Sequence, residues 1–192
     1  MERVLYDQVG KDPYMHYAMS LHLQAYFWAY QYCFGKTILD AACGTGFGTM
    51  IYSLGAKKVI AVDKDQGALN SGKKLKKFCP VKYMVKDLDK DILPEADICV
   101  SVETIEHLNG DGFFLQNLKV NALVFSIPIA MPGEFHKLVF DTEQAATNHL
   151  KANGWNPAIT VIQKTSVLVD DNINGMGLIN TYAYMGVAER SL

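Results

Sequence analysis

The chain has 192 residues, of which 49% are hydrophobic and 20% are charged. This composition is ordinary for a globular protein, and the length favours a single domain. The formal net charge of −2 argues against a protein whose whole surface attracts nucleic acid. The sequence shows neither a signal-peptide pattern at its N-terminus nor an apolar stretch of transmembrane length. We therefore expect a cytoplasmic protein with no membrane partner.

The cysteines form no CxxC pair, so the sequence predicts neither a zinc knuckle nor a disulfide framework. The four residues are Cys33, Cys43, Cys79 and Cys99. Because they are scattered through apolar stretches, we expect buried thiols in a reducing compartment.

The predicted elements alternate between strands and helices in the middle of the chain. In chain order, the strands are residues 36–42, 57–63, 81–87, 96–103, 121–129, 158–169 and 179–189, and the helices are residues 14–33, 47–54, 66–78 and 141–154. Apolar strands that alternate with helices predict an α/β fold, in which helices cover both faces of a mostly parallel sheet. The last two strands have no helix between them and should pair antiparallel. Asp141, three residues before Gln144, predicts the cap of the last helix, and Gly154 predicts its end.

A glycine-rich turn with Gly44, Gly46 and Gly48 follows the first strand. In an open α/β sheet, ligands bind at the carboxyl ends of the strands, where this turn lies. The dinucleotide fingerprint is G-x-G-x-x-G, and Thr49 stands where its third glycine would be. Asp40 precedes the turn, and its carboxylate would repel a pyrophosphate but attract an ammonium or sulfonium group. Both features argue against NAD.

Two further acids follow the next two strands. Asp63 ends the second strand, where a carboxylate can accept hydrogen bonds from both ribose hydroxyls. Asp87 follows the third strand and could accept a hydrogen bond from the exocyclic amine of an adenine. No lysine of the Walker type accompanies the turn. The pocket therefore suits an amino acid, a ribose and an adenine, the parts of S-adenosylmethionine, better than a nucleotide.

Four stretches, "ILDAACGTGFG", "AVDKD", "KDLD" and "ICVSVETIEHL", resemble the successive motifs of the class I S-adenosylmethionine-dependent methyltransferases. The resemblance extends over about residues 2–155 and implies a Rossmann-like three-layer sandwich. Its seven-stranded sheet would be mostly parallel, with the last strand antiparallel beside the fifth. One methyltransferase domain would then span residues 1–192, with an N-terminal helical arm or lid at 1–35 and the core at 36–192.

The cofactor that the resemblance implies is S-adenosylmethionine. Asp40 and residues 44–46 would hold its methionine part, Asp63 its ribose, and Asp87 with Leu88 its adenine. The expected cofactor-binding residues are Tyr14, Asp40, Ala42, Cys43, Gly44, Thr45, Gly46, Asp63, Lys64, Asp87, Leu88, Ser101 and Glu103. Ala42 departs from the family, in which a glycine is frequent at that position.

The end of the fourth strand carries the residues expected to act on the acceptor. Glu103, Glu106 and His107 have the spacing i, i+3 and i+4, so they share a face if a helical turn begins there. His136 lies on the loop after the fifth strand, which should return over the same pocket. We expect His107 to act as the base that removes a proton from the acceptor, with Glu106 as its helper.

Two carboxylates and imidazoles can also bind a divalent cation. The pattern resembles two metal-using branches of the family, the ubiquinone-biosynthesis O-methyltransferases and the small-RNA terminal 2′-O-methyltransferases. The resemblance implies a site for Mg²⁺ or another divalent metal with the ligands Glu103, Glu106, His107 and His136. The metal would hold and acidify two neighbouring hydroxyls. The similar motif is also common in relatives without a metal, so both interpretations stay open.

The sequence thus predicts an S-adenosylmethionine-dependent methyltransferase whose partner is a small-molecule acceptor with a hydroxyl or amine, such as a sugar or metabolite. A second hypothesis is a metal-assisted RNA terminal 2′-O-methyltransferase, against which the net charge argues. A third is a catalytically silent subunit that keeps the cofactor fold, against which the intact cofactor acids argue. The sequence does not fix the oligomeric state.

Overall fold

A computed structural model of the chain describes residues 13–109, 112–171 and 175–191. For residues 13–18 and 165–182 it describes the backbone alone. The strands are β1 (Thr37–Ala41), β2 (Lys58–Asp63), β3 (Val81–Val85), β4 (Ile98–Val102), β5 (Ala122–Ile129), β6 (Trp155–Asp171) and β7 (Gly175–Arg190). The helices are α1 (Pro13–Tyr30), α2 (Phe47–Tyr52), α3 (Gln66–Lys74), α4 (Phe113–Asn117) and α5 (Glu143–Ala152), and a 3₁₀ turn covers Ile105–His107.

All seven strands belong to one sheet in the order β3-β2-β1-β4-β5-β7-β6. The first five strands are parallel, and β7 lies antiparallel between β5 and β6. The predicted α/β Rossmann-like fold with an antiparallel last strand is thereby confirmed. Because the strand order reverses between β1 and β4, the crevice for a ligand is expected at the carboxyl ends of these two strands.

Successive residues of the parallel strands face two different hydrophobic cores. Leu39 packs in a core with residues of α4 and α5, whereas its neighbour Ile38 packs in a second core with residues of α1 and α2. Leu123 and Val124 of β5 divide in the same way. This alternation with a period of two places one helical layer on each face of the sheet, as in a three-layer sandwich.

Helix α3 is shorter than predicted: it ends at Lys74 rather than near residue 78. The carbonyl of Gly72 accepts hydrogen bonds from the backbone N–H of Leu75 and from the side chains of Lys77 and Tyr83. These donors occupy the carbonyl that the next helical turn would use, so the helix stops. The 3₁₀ turn and α4 were not predicted, since both are too short to show a period of hydrophobic residues.

The cap of α5 was assigned wrongly. Thr142, not Asp141, is the N-cap residue, and its hydroxyl accepts a hydrogen bond of 3.1 Å from the N–H of Ala145. Gly154, with φ of 85°, does follow the helix as predicted. The four cysteines are free thiols, but Cys79 is half-buried rather than buried. None of the helices among the described residues has the length and hydropathy needed to cross a membrane. Residues 1–12 of the predicted arm lie outside the described residues.

The cap assignment predicts a difference between two adjacent substitutions. Thr142→Ala removes the acceptor for the Ala145 N–H, so we expect the free energy of unfolding to fall by about 1 kcal/mol. Asp141→Ala, the matched control, should change it by less than about 0.5 kcal/mol because it removes no cap. Urea denaturation of both variants measures the difference, and a larger loss for Asp141→Ala would contradict the assignment.

Candidate active site

The glycine turn after β1 is held by the carboxylate of Asp63 at the end of β2. Asp63 Oδ2 accepts a hydrogen bond of 2.9 Å from the N–H of Gly44, and Oδ1 accepts one of 2.8 Å from the N–H of Asp65. Gly44 and Gly46 have φ angles of 52° and 85°, in the left-handed region that favours glycine. One buried carboxylate therefore connects the turns that follow two neighbouring strands.

Gly72 of α3 packs directly against this turn. A Cβ atom on Gly46 would lie 2.9 Å from the Cα of Gly72, and one on Gly72 would lie 3.3 Å from the carbonyl oxygen of Thr45. Only two glycines allow α3 to approach the turn so closely. The sequence analysis missed Gly72, although a glycine inside a predicted helix is a signal for such a contact.

Asp40 is buried beneath the turn, with 5% of its surface exposed. Thr49 Oγ1 donates a hydrogen bond of 2.5 Å to its carboxylate. Burial raises the pKa of Asp40 to about 7, although the Thr49 hydroxyl lowers it. Thr49 stands where the dinucleotide fingerprint has its third glycine. Its hydroxyl holds the carboxylate of Asp40, which a glycine could not do.

The loop after β3 forms the next wall of the site. The N–H of Asp87 donates a hydrogen bond of 2.8 Å to Asp91, and Asp87 Oδ1 accepts one of 3.2 Å from the N–H of Asp89. Although desolvation alone would raise the pKa of Asp87, this hydrogen bond and the nearby Lys90 lower it. A single cleft is lined by Ala42, Asp63, Lys64, Lys86, Asp87, Leu88, Asp89, His107 and Leu108. The structure therefore brings the acids after β2 and β3 together with His107.

The 3₁₀ turn presents Glu106 and His107 to the loop after β5. His107 Nε2 lies 3.5 Å from Glu106 Oε1, and the His107 and His136 rings meet edge to face at 4.8 Å between centroids. The backbone N–H groups of Lys137 and Leu138 both donate to the carbonyl of Glu106, at 2.8 and 3.0 Å. These bonds fix the loop over the turn, as the sequence predicted for His136.

Both histidines donate Nδ1–H to a backbone carbonyl. His107 Nδ1 lies 3.0 Å from the oxygen of Phe135, and His136 Nδ1 lies 2.8 Å from that of Met131. Because a carbonyl only accepts, each neutral ring carries its proton on Nδ1 and presents an unprotonated Nε2. Among the described residues, Glu106, His107 and His136 form a group whose possible metal-ligand atoms all lie within 4.8 Å of one another.

Glu106 is 1% exposed, and neither of its carboxylate oxygens has a hydrogen-bond partner in the described part of the chain. Burial raises its pKa well above the ordinary value, and the charge of Glu103 raises it further. A buried carboxylate without donors is costly unless a proton, a cation or a ligand compensates it.

Glu103 is not part of this group, so the structure brings together the possible ligand atoms of three of the four predicted metal ligands. Its carboxylate accepts a hydrogen bond from the hydroxyl of Ser126, and its backbone N–H donates to the Ser126 carbonyl at 3.1 Å. Its φ of 48° turns the chain sharply at the end of β4. Ser126 therefore holds Glu103 against β5.

The remaining predicted cofactor residues lie at the carboxyl edge of the sheet. Ala42 has a φ of 54°, and Cys43 donates its N–H to the carbonyl of Val62 at 2.9 Å. Burial raises the pKa of the Cys43 thiol. Ser101 is fully buried, and its hydroxyl has no hydrogen-bond partner among the residues that the structure describes. The side chain of Tyr14 lies outside the described residues.

Residues 39–119, which contain the glycine turn and the Glu106–His107 motif, match the family model described as "Methyltransferase domain". The matched segment is similar to a methyltransferase domain. Two curated proteins, from the CDC 1551 and H37Rv strains of Mycobacterium tuberculosis and both named probable S-adenosylmethionine-dependent methyltransferase, are each 33% identical to the chain over 86 residues. These alignments cover 44% of the chain, which spans about a third, 31%, of each relative's length.

Solved structures share the fold of this chain at low sequence identity. The YcgJ protein of Bacillus subtilis has a TM-score of 0.71 and 10% identity, covering 89% of this chain and 100% of the other. Magnesium protoporphyrin IX methyltransferase of Synechocystis, solved with bound S-adenosylmethionine, has a TM-score of 0.64 and 16% identity, covering 88% and 80%. At these identities the likeness shows the fold alone.

The buried Asp40 predicts a pH dependence of stability. Because its pKa rises from 3.8 to about 7 on folding, the folded state binds the proton more tightly. Its contribution to stability is complete below pH 4 and is lost as the pH rises towards 7, at up to about 1.4 kcal/mol per pH unit. Asp40→Asn has no such proton, so its stability relative to the wild type should increase between about pH 5 and 7.

Chemical denaturation across this pH range measures the difference between Asp40→Asn and the wild type. Thr49→Ser keeps the hydroxyl donor and should keep the pH dependence of the wild type. A difference for Asp40→Asn that is flat, or that falls as the pH rises, would contradict the raised pKa.

Proposed function

We propose that this chain transfers the methyl group of S-adenosylmethionine to a hydroxyl or amine of a small molecule, such as a sugar or another metabolite. The observation that supports the proposal is the shared cleft, in which Asp63, Asp87 and Leu88 lie along the same wall as His107. The residues expected to hold the cofactor and the residue expected to act as base therefore face one space. The intact turn and acids argue against a silent cofactor-fold subunit.

Methyl transfer needs alignment more than activation, because the sulfonium is already a good leaving group. S-adenosylmethionine, when bound, would supply the methyl group: the acceptor oxygen or nitrogen would bond to the methyl carbon, and the electron pair of the broken sulfur–methyl bond would pass to sulfur. The acceptor's proton goes to His107 Nε2, which the Phe135 carbonyl keeps unprotonated in the neutral ring. Glu106, 3.5 Å away, then stabilises the imidazolium.

The buried acids suit a cationic cofactor. Asp40 and Glu103 lie at the carboxyl ends of β1 and β4, and burial raises the pKa of both. The ammonium and sulfonium groups of S-adenosylmethionine would favour their charged forms. A pyrophosphate would be repelled by them, which is why NAD fits this site poorly.

His107→Gln separates cofactor binding from transfer. Calorimetric titration of the wild type should show binding of S-adenosylmethionine and of its demethylated product, with no binding of NAD. In the variant we expect the affinity for S-adenosylmethionine to stay within about threefold, while transfer of labelled methyl groups to a panel of sugars, polyols and amines falls roughly 100-fold or more.

His149→Gln, in α5, is the control and should leave transfer nearly unchanged. A wild-type protein that fails to bind S-adenosylmethionine would overturn the proposal and favour the silent subunit. A His107→Gln variant that transfers methyl groups at the wild-type rate would remove His107 as the base.

A second candidate, a metal-assisted RNA terminal 2′-O-methyltransferase, is favoured by the group of Glu106, His107 and His136. Their chemistry fits a divalent metal, since a carboxylate without hydrogen-bond donors faces two imidazoles whose Nδ1–H groups are fixed by carbonyls. When bound, Mg²⁺ or another divalent metal would hold and acidify two neighbouring hydroxyls. Two imidazoles and one carboxylate suit manganese, iron or zinc better than magnesium.

The metal hypothesis predicts that Mn²⁺ binds to the chain without cofactor or acceptor. Titration followed by calorimetry or by the paramagnetic relaxation of water should give one site per chain. His136→Gln should weaken it roughly 10-fold or more by removing one ligand, whereas His149→Gln should not. Equal affinity in the wild type and in His136→Gln would exclude this site.

The acceptor panel also separates the two candidates. An RNA oligonucleotide with a terminal 2′-hydroxyl should be methylated under the second candidate, and its 2′-deoxy counterpart should not. Binding of the oligonucleotide should weaken steeply with salt, because phosphate contacts release counterions. Transfer to sugars or amines alone supports the first candidate.

A further inference from the structure

The two edge strands of the sheet differ greatly in length. β3 at one edge has 5 residues, whereas β6 at the other has 17. At about 3.3 Å per residue, β6 extends for about 56 Å. One side of β6 pairs with β7 from Trp155 to Asp171, and among the described residues β7 is the strand that neighbours it. The other side of β6 therefore presents its backbone N–H and C=O groups outward.

The side chains along β6 do little to block pairing with another strand. Ile159, Val161 and Ile162 are 51%, 37% and 45% exposed, and between residues 155 and 169 the single charge is that of Lys164. Natural edge strands are usually short, charged or interrupted by proline. β3 follows this rule, since it is short, follows Pro80 and carries Lys82. β6 does not follow it beyond Pro157.

The edge is also held in place. Gln163, which is buried, donates a hydrogen bond of 3.2 Å to the carbonyl of Leu21 and another to the side chain of Gln24, both in α1. The middle of β6 is thereby fixed to a long helix. A fixed extended edge loses little conformational entropy when a further strand pairs with it.

We propose that β6 is a dimer interface, in which the edge pairs antiparallel with β6 of a second copy of this chain and joins two sheets into one. The outward backbone groups of an edge strand offer a template for pairing with another strand, and a two-fold axis offers each copy the same groups. When Gln163 lies opposite its own copy, the strands overlap along all 17 residues. This register places Lys164 opposite Ile162 and Asp170 opposite Asn156, so no like charges face each other directly.

The size of this interface is slightly below that of a standard protein–protein interface. Seventeen residues from each strand approach the roughly 20–30 residues per partner of a standard interface. Ile159 and Val161 lie on one side of the pleat and Ile162 on the other, so both faces of the joint would bury apolar surface. Formation of this dimer does not depend on which acceptor is methylated or on whether the proposed function is right.

The test is the mass of the full-length protein in solution, measured by sedimentation equilibrium over a range of concentrations. The wild type should have twice the mass of the chain. Ile159→Lys combined with Val161→Lys places four additional charges along the joint, so association should weaken roughly 100-fold or more. Val85→Lys is the matched control, because Val85 is 50% exposed on β3, the opposite edge strand; this variant should stay dimeric.

A wild-type protein that stays monomeric at about 100 μM, far above a typical dimer's Kd, would overturn the proposal. So would a dimer that Val85→Lys dissociates and the β6 variant does not. A far-UV circular dichroism spectrum and a cooperative urea unfolding transition like those of the wild type would show that the β6 variant is folded. If it fails to fold, hydrogen exchange of the wild type decides: amides of residues 156–164 should gain protection as the concentration rises, and concentration-independent protection would refute the dimer.

Discussion

The site depends first on one carboxylate, that of Asp63, which joins two successive strand-to-helix turns. By accepting from the N–H of Gly44 and of Asp65, it fixes the turn after β1 relative to the turn after β2. The left-handed glycines then give α2 its start at Gly46, and Gly72 lets α3 approach the same turn. A cofactor that spans these turns would meet a surface whose geometry is already set, so little ordering would remain for binding to accomplish.

Three acids with raised pKa values at the carboxyl edge of the sheet are the second constraint. Burial raises the pKa of Asp40, Glu103 and Glu106, and hydroxyl donors from Thr49 and Ser126 compensate only the first two. Ionising any of these three acids in the absence of a ligand therefore costs free energy. A cationic ligand lowers the free energy of such an edge, whereas an anionic one raises it. This asymmetry favours a cationic ligand over a pyrophosphate, although the glycine turn resembles that of a dinucleotide site.

Local patterns were sufficient to predict the strands, the glycine turn and the acids after β1, β2 and β3, because each depends on residues close together in the sequence. Contacts between distant segments could not be predicted in this way. The hydrogen bond from Ser126 to Glu103 joins two strands that the sequence does not align residue by residue. The cap by Thr142 was missed for a subtler reason: Asp141 and Thr142 are both good capping residues, and only the backbone conformation selects between them.

Strain at the ends of the strands connects these observations to the chemistry. Ala42, Glu103 and Ala130 have φ angles of 54°, 48° and 53°, and they follow β1, β4 and β5. Each of these left-handed backbone conformations costs roughly 1 kcal/mol relative to a glycine at the same position. Such a turn sends the chain abruptly away from the sheet, so the residues just beyond each strand line the cleft instead of continuing the strand. The histidines then depend on backbone carbonyls, those of Phe135 and Met131, which cannot change protonation. Their unprotonated Nε2 atoms are thus set by the path of the main chain, before any acceptor or metal arrives.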